Sequence, residues 1–195
     1  MHGLINRAIQ CFVRDTYGNE LWFDVARRAS LSDATFEAML IYDDKLTDKV
    51  MTELAQILNK AQPEVLEDLG TYLVSHPNVE ALRRLLRFGG ISFMEFLHSL
   101  DDLPDRARMA VSDLELPELE LVEEDPSRMH LHVRSRYDGF GAVMLGVLRT
   151  MADDYGALVL LDMRHIGPGE DIIDISLVET AFAEGRSFTL SAGHE

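Results

Sequence analysis

The stretch Glu95-Phe-Leu-His-Ser-Leu-Asp-Asp-Leu-Pro104 decides the fold that we expect for this chain. Apolar residues recur along it at steps of three and four, at Phe93, Phe96, Leu97, Leu100 and Leu103. This spacing is typical of a helix that turns one apolar stripe toward a core. Pro104 lacks a backbone N–H and disfavours helical geometry in the preceding residue. The pattern predicts a buried helix that ends near Leu103, and a new helix that begins with Pro104.

The residues before this stretch also follow a helical period. Apolar side chains recur at steps of three and four in five runs, which begin near Leu4, Leu21, Val50, Val65 and Val79. Proline and glycine separate the later runs, as expected where helices end. The N-terminal half is therefore predicted to be mostly helical.

The character of the sequence changes after Val111. Alternation of apolar and polar residues predicts one or two strands within Leu114–Leu121, where Pro117 interrupts the pattern. Further strands are predicted at Met129–Ser135, Leu158–Met163, Ile172–Val178 and Ser187–Leu190. One amphipathic helix is predicted among them, at about residues 139–154. Because helices and strands are segregated along the chain, the fold class is α+β, with a largely antiparallel C-terminal sheet.

The composition excludes several classes of partner. The chain has 195 residues and a formal net charge of −16, which argues against nucleic acid and anionic membranes, since both require clustered Lys and Arg. Its apolar runs are all shorter than the ~20 residues of a membrane helix, and Met1-His-Gly-Leu does not begin a signal-peptide pattern. A single cysteine, Cys11, fits a reducing compartment. We therefore expect a cytoplasmic protein.

Five parts of the sequence carry a family resemblance. Phe96-Leu-x-x-Leu-Asp-x-Leu103 resembles the proximal helix of heme-NO/O2-binding (H-NOX) domains, especially that of the soluble guanylate cyclase beta subunit. The same family is resembled, in the same order, by Met1-x-Gly-Leu-Ile-Asn6, Tyr17-Gly-Asn-Glu-Leu-Trp22, Ile41-Tyr-Asp-Asp44 and Leu131-His132 followed by Ser135, Gly139 and Gly146-Val-Leu148. The resemblance implies one H-NOX-like domain over residues 1–195, with a distal-type helical lobe at 1–62 and a proximal-type lobe with the sheet at 63–195.

The resemblance also implies a heme site, and it locates the positions at which that site is altered. The family places its heme-ligating histidine where this chain has Pro104, so the axial ligand is lost. The family's Tyr-x-Ser-x-Arg propionate clamp aligns with Val133, Ser135 and Tyr137, and only the serine is kept. Ile5 and Leu100 are implied as lining of the cavity.

Two arginines lie beside the clamp columns. Alternation along a strand predicts that Arg134 and Arg136 project to the face opposite Val133 and Tyr137. A register shifted by one residue would supply an arginine to the clamp but would displace the serine.

Other side chains offer weak alternatives as ligands. His98 precedes Pro104 by six residues and therefore points about 240° away from it around an ideal helix. His130 and His132 share a strand face but lack a third metal ligand. Cys11 is predicted to be a small buried residue. We predict no metal site.

Motifs for catalysis are missing from the sequence. It has no Gly-rich phosphate loop, no Gly-x-Ser-x-Gly elbow and no His-Glu-x-x-His. We expect no enzymatic activity and no catalytic residue.

The resemblance implies a stand-alone sensor or regulatory protein of the gas-sensing type. With the altered columns, we expect weak heme binding or none, and signalling in trans through a separate kinase or cyclase. The alternative is a heme-free module that binds another protein, or a sensor of a different apolar small ligand.

Overall fold

The computed structural model describes residues 1–187 as eight helices and four strands. The N-terminal part contains α1 (Gly3–Tyr17), α2 (Asn19–Arg28), α3 (Asp44–Leu58), α4 (Gln62–Ser75), a 3-10 turn (Pro77–Val79), α5 (Glu80–Arg87), α6 (Phe93–His98) and α7 (Leu103–Ala110). It is followed by β1 (Glu118–Asp125), β2 (Arg128–Arg134), α8 (Phe140–Tyr155), β3 (Leu158–Gly167) and β4 (Glu170–Glu179). The α+β prediction is confirmed. The strand predicted at Ser187–Leu190 lies almost wholly outside the described residues.

The four strands form one antiparallel sheet in the order β1-β2-β4-β3. The side chains of one face are buried, at Leu119, Met129, Leu131, Val133, Ile173 and Ile175. This face packs against α8 and the helix that carries the apolar stripe. The alternating residues of β2 and β4 point to the other face, which is polar and partly exposed.

Buried apolar residues form two clusters. The first cluster gathers side chains of residues 9–72, from α1 to α4, around Trp22 and Phe12. The second cluster gathers side chains of residues 74–175 around Phe96 and Leu148. All five residues of the predicted apolar stripe are buried in the second cluster. The proposed lobe boundary at residues 62/63 stays a prediction.

The helix with the stripe ends earlier than predicted. It stops at His98 rather than Leu103, because Ser99 Oγ donates to the carbonyl of Phe96 at 2.7 Å and the next turns use tighter i→i+3 hydrogen bonds. Pro104 does lie in the first turn of a new helix, α7, as predicted. Asp102 precedes that helix without a side-chain cap, and Asp101 Oδ1 accepts from the N–H of Leu121 in β1 at 2.9 Å.

Helices α4 and α8 approach each other through glycine. A Cβ at Gly146 would lie 2.1 Å from the carbonyl oxygen of Glu67, and one at Gly70 would lie 2.0 Å from that of Val143. Only glycine allows the backbones to come this close.

Among residues 1–187, no helix is both long and apolar enough to cross a membrane.

Candidate ligand site

The loop after β2, which contains Ser135 and Tyr137, is hydrogen-bonded to the turn between β3 and β4. The N–H of Ser135 donates to the carbonyl of Gly169 at 2.8 Å, and the N–H of Gly169 donates to Asp138 Oδ1 at 2.6 Å. Ser135 Oγ accepts from the N–H of Tyr137 at 3.0 Å. The serine hydroxyl therefore shapes the loop of its own chain.

Val133 and Tyr137 have different surroundings. Val133 belongs to β2 and is buried in the second cluster, where it offers only apolar contact. Tyr137 lies in the loop after the strand. Burial raises the pKa of its phenol, and the negative charge of Asp44 raises it further.

Arg136 is the residue that the sequence placed wrongly. We predicted that it would project away from Tyr137, but its guanidinium carbon lies 4.6 Å from the centre of the Tyr137 ring. Since β2 ends at Arg134, the alternation of a strand does not continue to residue 136. The sequence did offer an indication of this arrangement. The alternative alignment of the propionate clamp, shifted by one residue, places an arginine at residue 136.

Arg136 joins carboxylates from two distant segments. Its Nη2 donates to Asp44 Oδ2 at 3.1 Å, and its Nη1 lies 3.3 Å from Glu115 Oε2. Asp44 opens α3, whose side chains belong to the first cluster, and it also pairs with the α-amino group of Met1. The hydrogen bond from that amino group, followed by the one from Arg136, lowers the pKa of Asp44. Arg136 therefore links the helical part of the fold to the loop after β2.

A cavity of about 530 Å³ lies beside this loop. Its lining is mixed in charge: Glu115, Leu116, Glu118, Arg134, Ser135, Arg136, Tyr137 and Pro168, Gly169, Glu170. Arg134 is also neutralised within the chain, by Glu120 at 2.8 Å and Glu170 at 3.3 Å. Both arginines of the cavity thus already hold carboxylates of this chain.

Of the remaining predicted residues, Leu100 and Ile5 pack in different clusters. Pro104 is buried in the first turn of α7, and it has no side-chain atom that can donate electrons to a metal. Leu100 is fully buried with Val133 in the second cluster. Ile5 is half-buried and packs against the first cluster.

The histidines that we considered as ligands lie on the surface of the sheet region. His98 is exposed and pairs with Glu123. His130 Nδ1 lies 2.7 Å from Asp174 Oδ1. His132 neighbours His130 on the same strand face, and its buried Nδ1 has no hydrogen-bond partner. Within the part of the chain that the structure describes, no three His, Cys, Asp or Glu side chains form a metal-binding group.

His2 is a buried polar residue that no spacing in the sequence marks. It caps α1, because its Nδ1 accepts from the N–H of Leu4 at 3.1 Å. Its Nε2 is buried without a hydrogen bond and lies 3.5 Å from Asp113 Oδ1. A neutral imidazole that accepts at Nδ1 carries its proton on Nε2. Binding a metal through Nε2 would therefore require the loss of this helix cap.

The comparisons with known proteins point to one family. The family "Haem-NO-binding" matches residues 2–162. Soluble guanylate cyclase gcy-31 of Caenorhabditis elegans is 25% identical over 85% of the chain, and soluble guanylate cyclase 89Db of Drosophila melanogaster is 22% identical over 81%. The chain spans about a quarter of the length of these relatives, 24% in both cases.

Solved structures show the same fold. The Fe(II) unliganded H-NOX protein from K. algicida superposes with a TM-score of 0.79 at 16% identity, over 94% of this chain and all of that one. The Fe(II)NO H-NOX protein from S. oneidensis gives a TM-score of 0.75 at 17% identity, over 91% of this chain and 99% of that one. With the family match over most of its length, this chain belongs to the haem-NO-binding (H-NOX) family.

Proposed function

We propose that this chain is a regulatory H-NOX domain whose heme site is degenerate, and that it signals through a separate kinase or cyclase. The observation that carries the proposal is the set of side chains at the family's ligand columns. Pro104 stands at the axial column, and Val133, Ser135 and Tyr137 stand at the clamp columns. These residues do not fit a heme held by histidine and by a charged clamp.

The contacts of the clamp columns support this proposal. Val133 is buried among apolar side chains, and Ser135 Oγ is engaged by the N–H of Tyr137. Arg136, whose guanidinium lies over the Tyr137 ring, is held by Asp44 and Glu115. A propionate would have to displace a carboxylate that is already paired. The lost bidentate contact alone weakens binding by roughly ten- to a hundred-fold, for about 1.5–3 kcal/mol.

A heme-free interaction module is the second candidate function. It is favoured by the burial of Leu100, Leu103 and Val133 in one cluster. Other side chains of the protein cover these residues there, in place of a ligand. In this form the domain binds a partner protein without a small ligand. Hemin titration separates the two candidates, because only a domain with an open apolar cavity takes up hemin at all.

The test of the heme site compares the wild type with the triple variant Pro104→His, Val133→Tyr and Tyr137→Arg. We expect the wild type to give a broad Soret band and to lose hemin rapidly to a scavenger. The triple variant should bind more tightly and show an NO-sensitive ferrous spectrum. The matched control replaces Pro104→His by Pro104→Ala, which opens the same position without a ligand.

One result would overturn the proposal of a degenerate site. It is a wild-type protein that purifies with stoichiometric heme and a five-coordinate histidine spectrum. The His2→Ala and His98→Ala variants would then show which imidazole supplies the ligand.

The proposal of a kinase or cyclase as the partner is supported by the relatives, which are named guanylate cyclases. We expect the purified domain to change the turnover of a separately expressed kinase or cyclase domain, and the Arg136→Ala variant to change it differently. A panel of such domains that neither binds nor responds to the wild type would contradict the proposal.

A further inference from the structure

Strand β3 is an open edge of the sheet. It pairs with β4 on one side only, as the last strand in the order β1-β2-β4-β3. No backbone group of residues 1–187 forms a hydrogen bond to its other side. The strand spans Leu158–Gly167, so residues 1–187 leave a long row of its N–H and C=O groups without a partner strand.

The side chains of this edge are arranged symmetrically. On the face away from the core, β3 presents Leu160, Asp162 and Arg164 in alternate positions, and Ile166 follows at a bulge, where the register with β4 shifts between His165 and Gly167. Leu160 is 65% exposed and Ile166 is 50% exposed. An acid and a base thus lie between two exposed apolar residues, with Met163 at the centre of the pattern.

We propose that β3 is a homodimer interface, at which it pairs antiparallel with β3 of a second copy around Met163. In this register Asp162 of each copy faces Arg164 of the other, and Leu160 lies near the bulge at Ile166. The two four-stranded sheets become one continuous sheet of eight strands. Opposite charges directly across two strands stabilise pairing.

The alternative registers are disfavoured by the same side chains. A slip of one residue would place the outer face of one copy against the core-facing side chains of the other. A slip of two residues would set Asp162 opposite Asp162, or Arg164 opposite Arg164. Like charges directly opposite destabilise a strand pair. The sequence of β3 therefore selects one pairing.

The groups that the interface requires are available. Asp162 is exposed and forms no hydrogen bond or ion pair with residues 1–187, although its negative charge contributes to the raised pKa of Arg164. Arg164 donates to Asp174 through Nε and Nη2, at 2.7 and 2.9 Å, which leaves Nη1 for a second carboxylate. A cavity of about 280 Å³ between α8 and residues 158–161 leaves space beside the edge on the core side.

The first test measures the mass of the full chain by sedimentation as a function of concentration. We expect a wild-type dimer, and a dissociation constant roughly ten- to thirty-fold higher for Asp162→Arg, because both ion pairs become repulsive. Asp48→Arg on α3 makes the same charge change at an exposed residue and should leave the dimer unchanged. A wild type that stays monomeric at every concentration, or a dimer that tolerates Asp162→Arg, would overturn the proposal.

The second test reads the register and does not depend on Asp162. In a Cys11→Ala background, Met163→Cys places two thiols opposite each other across the symmetry axis, within the Cα separation that a disulfide spans. Oxidation should give a covalent dimer with native circular dichroism. Leu161→Cys, whose copies lie apart in this register, is the matched control. No cross-link at residue 163, or an equal one at 161, would overturn the proposed pairing.

Discussion

At the scale of single residues, a partner on a neighbouring strand stabilises the charged form of the Asp174 carboxylate. Its carboxylate accepts two hydrogen bonds from Arg164 and lies 2.7 Å from His130 Nδ1. The hydrogen bond from Arg164 lowers the pKa of Asp174 to about 2. Three strands of the sheet, β2, β4 and β3, are joined at this one side chain.

We expect Asp174→Asn to lower the free energy of unfolding by about 1 kcal/mol at pH 7, after allowance for its partial exposure. The folded pKa lies below the unfolded value of about 4, so the stabilisation is present above pH ~4 and is lost as pH falls toward 2. Urea unfolding of both proteins between pH 2 and 7 measures this. Asp48→Asn, which removes an exposed carboxylate of α3, should leave stability nearly unchanged. A difference between wild type and Asp174→Asn that is independent of pH would contradict the assignment.

At the scale of elements, the packing of α4 on α8 depends on two glycines. At each glycine, a backbone carbonyl of the other helix occupies the space that a Cβ would need. This carbonyl belongs to Val143 at Gly70 and to Glu67 at Gly146. A methyl group at either position must push a backbone carbonyl away, and no side-chain rotation can relieve this. Because α4 contributes to the first cluster and α8 to the second, this contact holds the two clusters together.

We therefore expect Gly146→Ala to destabilise the fold by about 1–3 kcal/mol, although alanine favours helix formation. Thermal and urea unfolding measure the change. Gly167→Ala is the matched control, since a Cβ there meets no atom within 4 Å. A Gly146→Ala variant as stable as the wild type would mean that the helices separate without cost.

The sequence predicted elements well where periodicity is strong and less well where local bonds decide. The apolar stripe was correct to the residue because burial selects a helical face. The end of α6 was missed because it depends on the hydroxyl of Ser99, which leaves no mark in the pattern. The alternation beginning at Leu114 suggested a strand, yet β1 begins at Glu118, directly after Pro117, which cannot donate to a ladder.

For the candidate site, the sequence predicted only which positions align with the heme-binding residues of the family. Resemblance located Pro104, Val133, Ser135 and Tyr137, and these positions stay a prediction. The contacts of Arg136 were not predictable, because its partners are far from it in sequence and it follows the end of a strand. His2 was missed for a similar reason, since its burial depends on the packing of α1 against later segments.

At the scale of the whole molecule, the contacts that join the two apolar clusters include a packing contact between two helices and an ionic contact. The helix contact is that of α4 with α8, and the ionic contact is that of Arg136 with Asp44 and Glu115. The ionic contact lies at the edge of the cavity whose lining includes Ser135 and Tyr137. A partner that binds there would act on the joint between the clusters.

The Arg136 contact also bears on how the protein matures in the cell. Arg136 and both of its carboxylate partners are side chains of this protein. The contact therefore forms when the chain folds and requires no added group. With the heme site lost, as proposed, folding does not wait for a prosthetic group to be delivered. On this proposal, we expect a shortage of iron or porphyrin to leave the amount of folded protein unaffected.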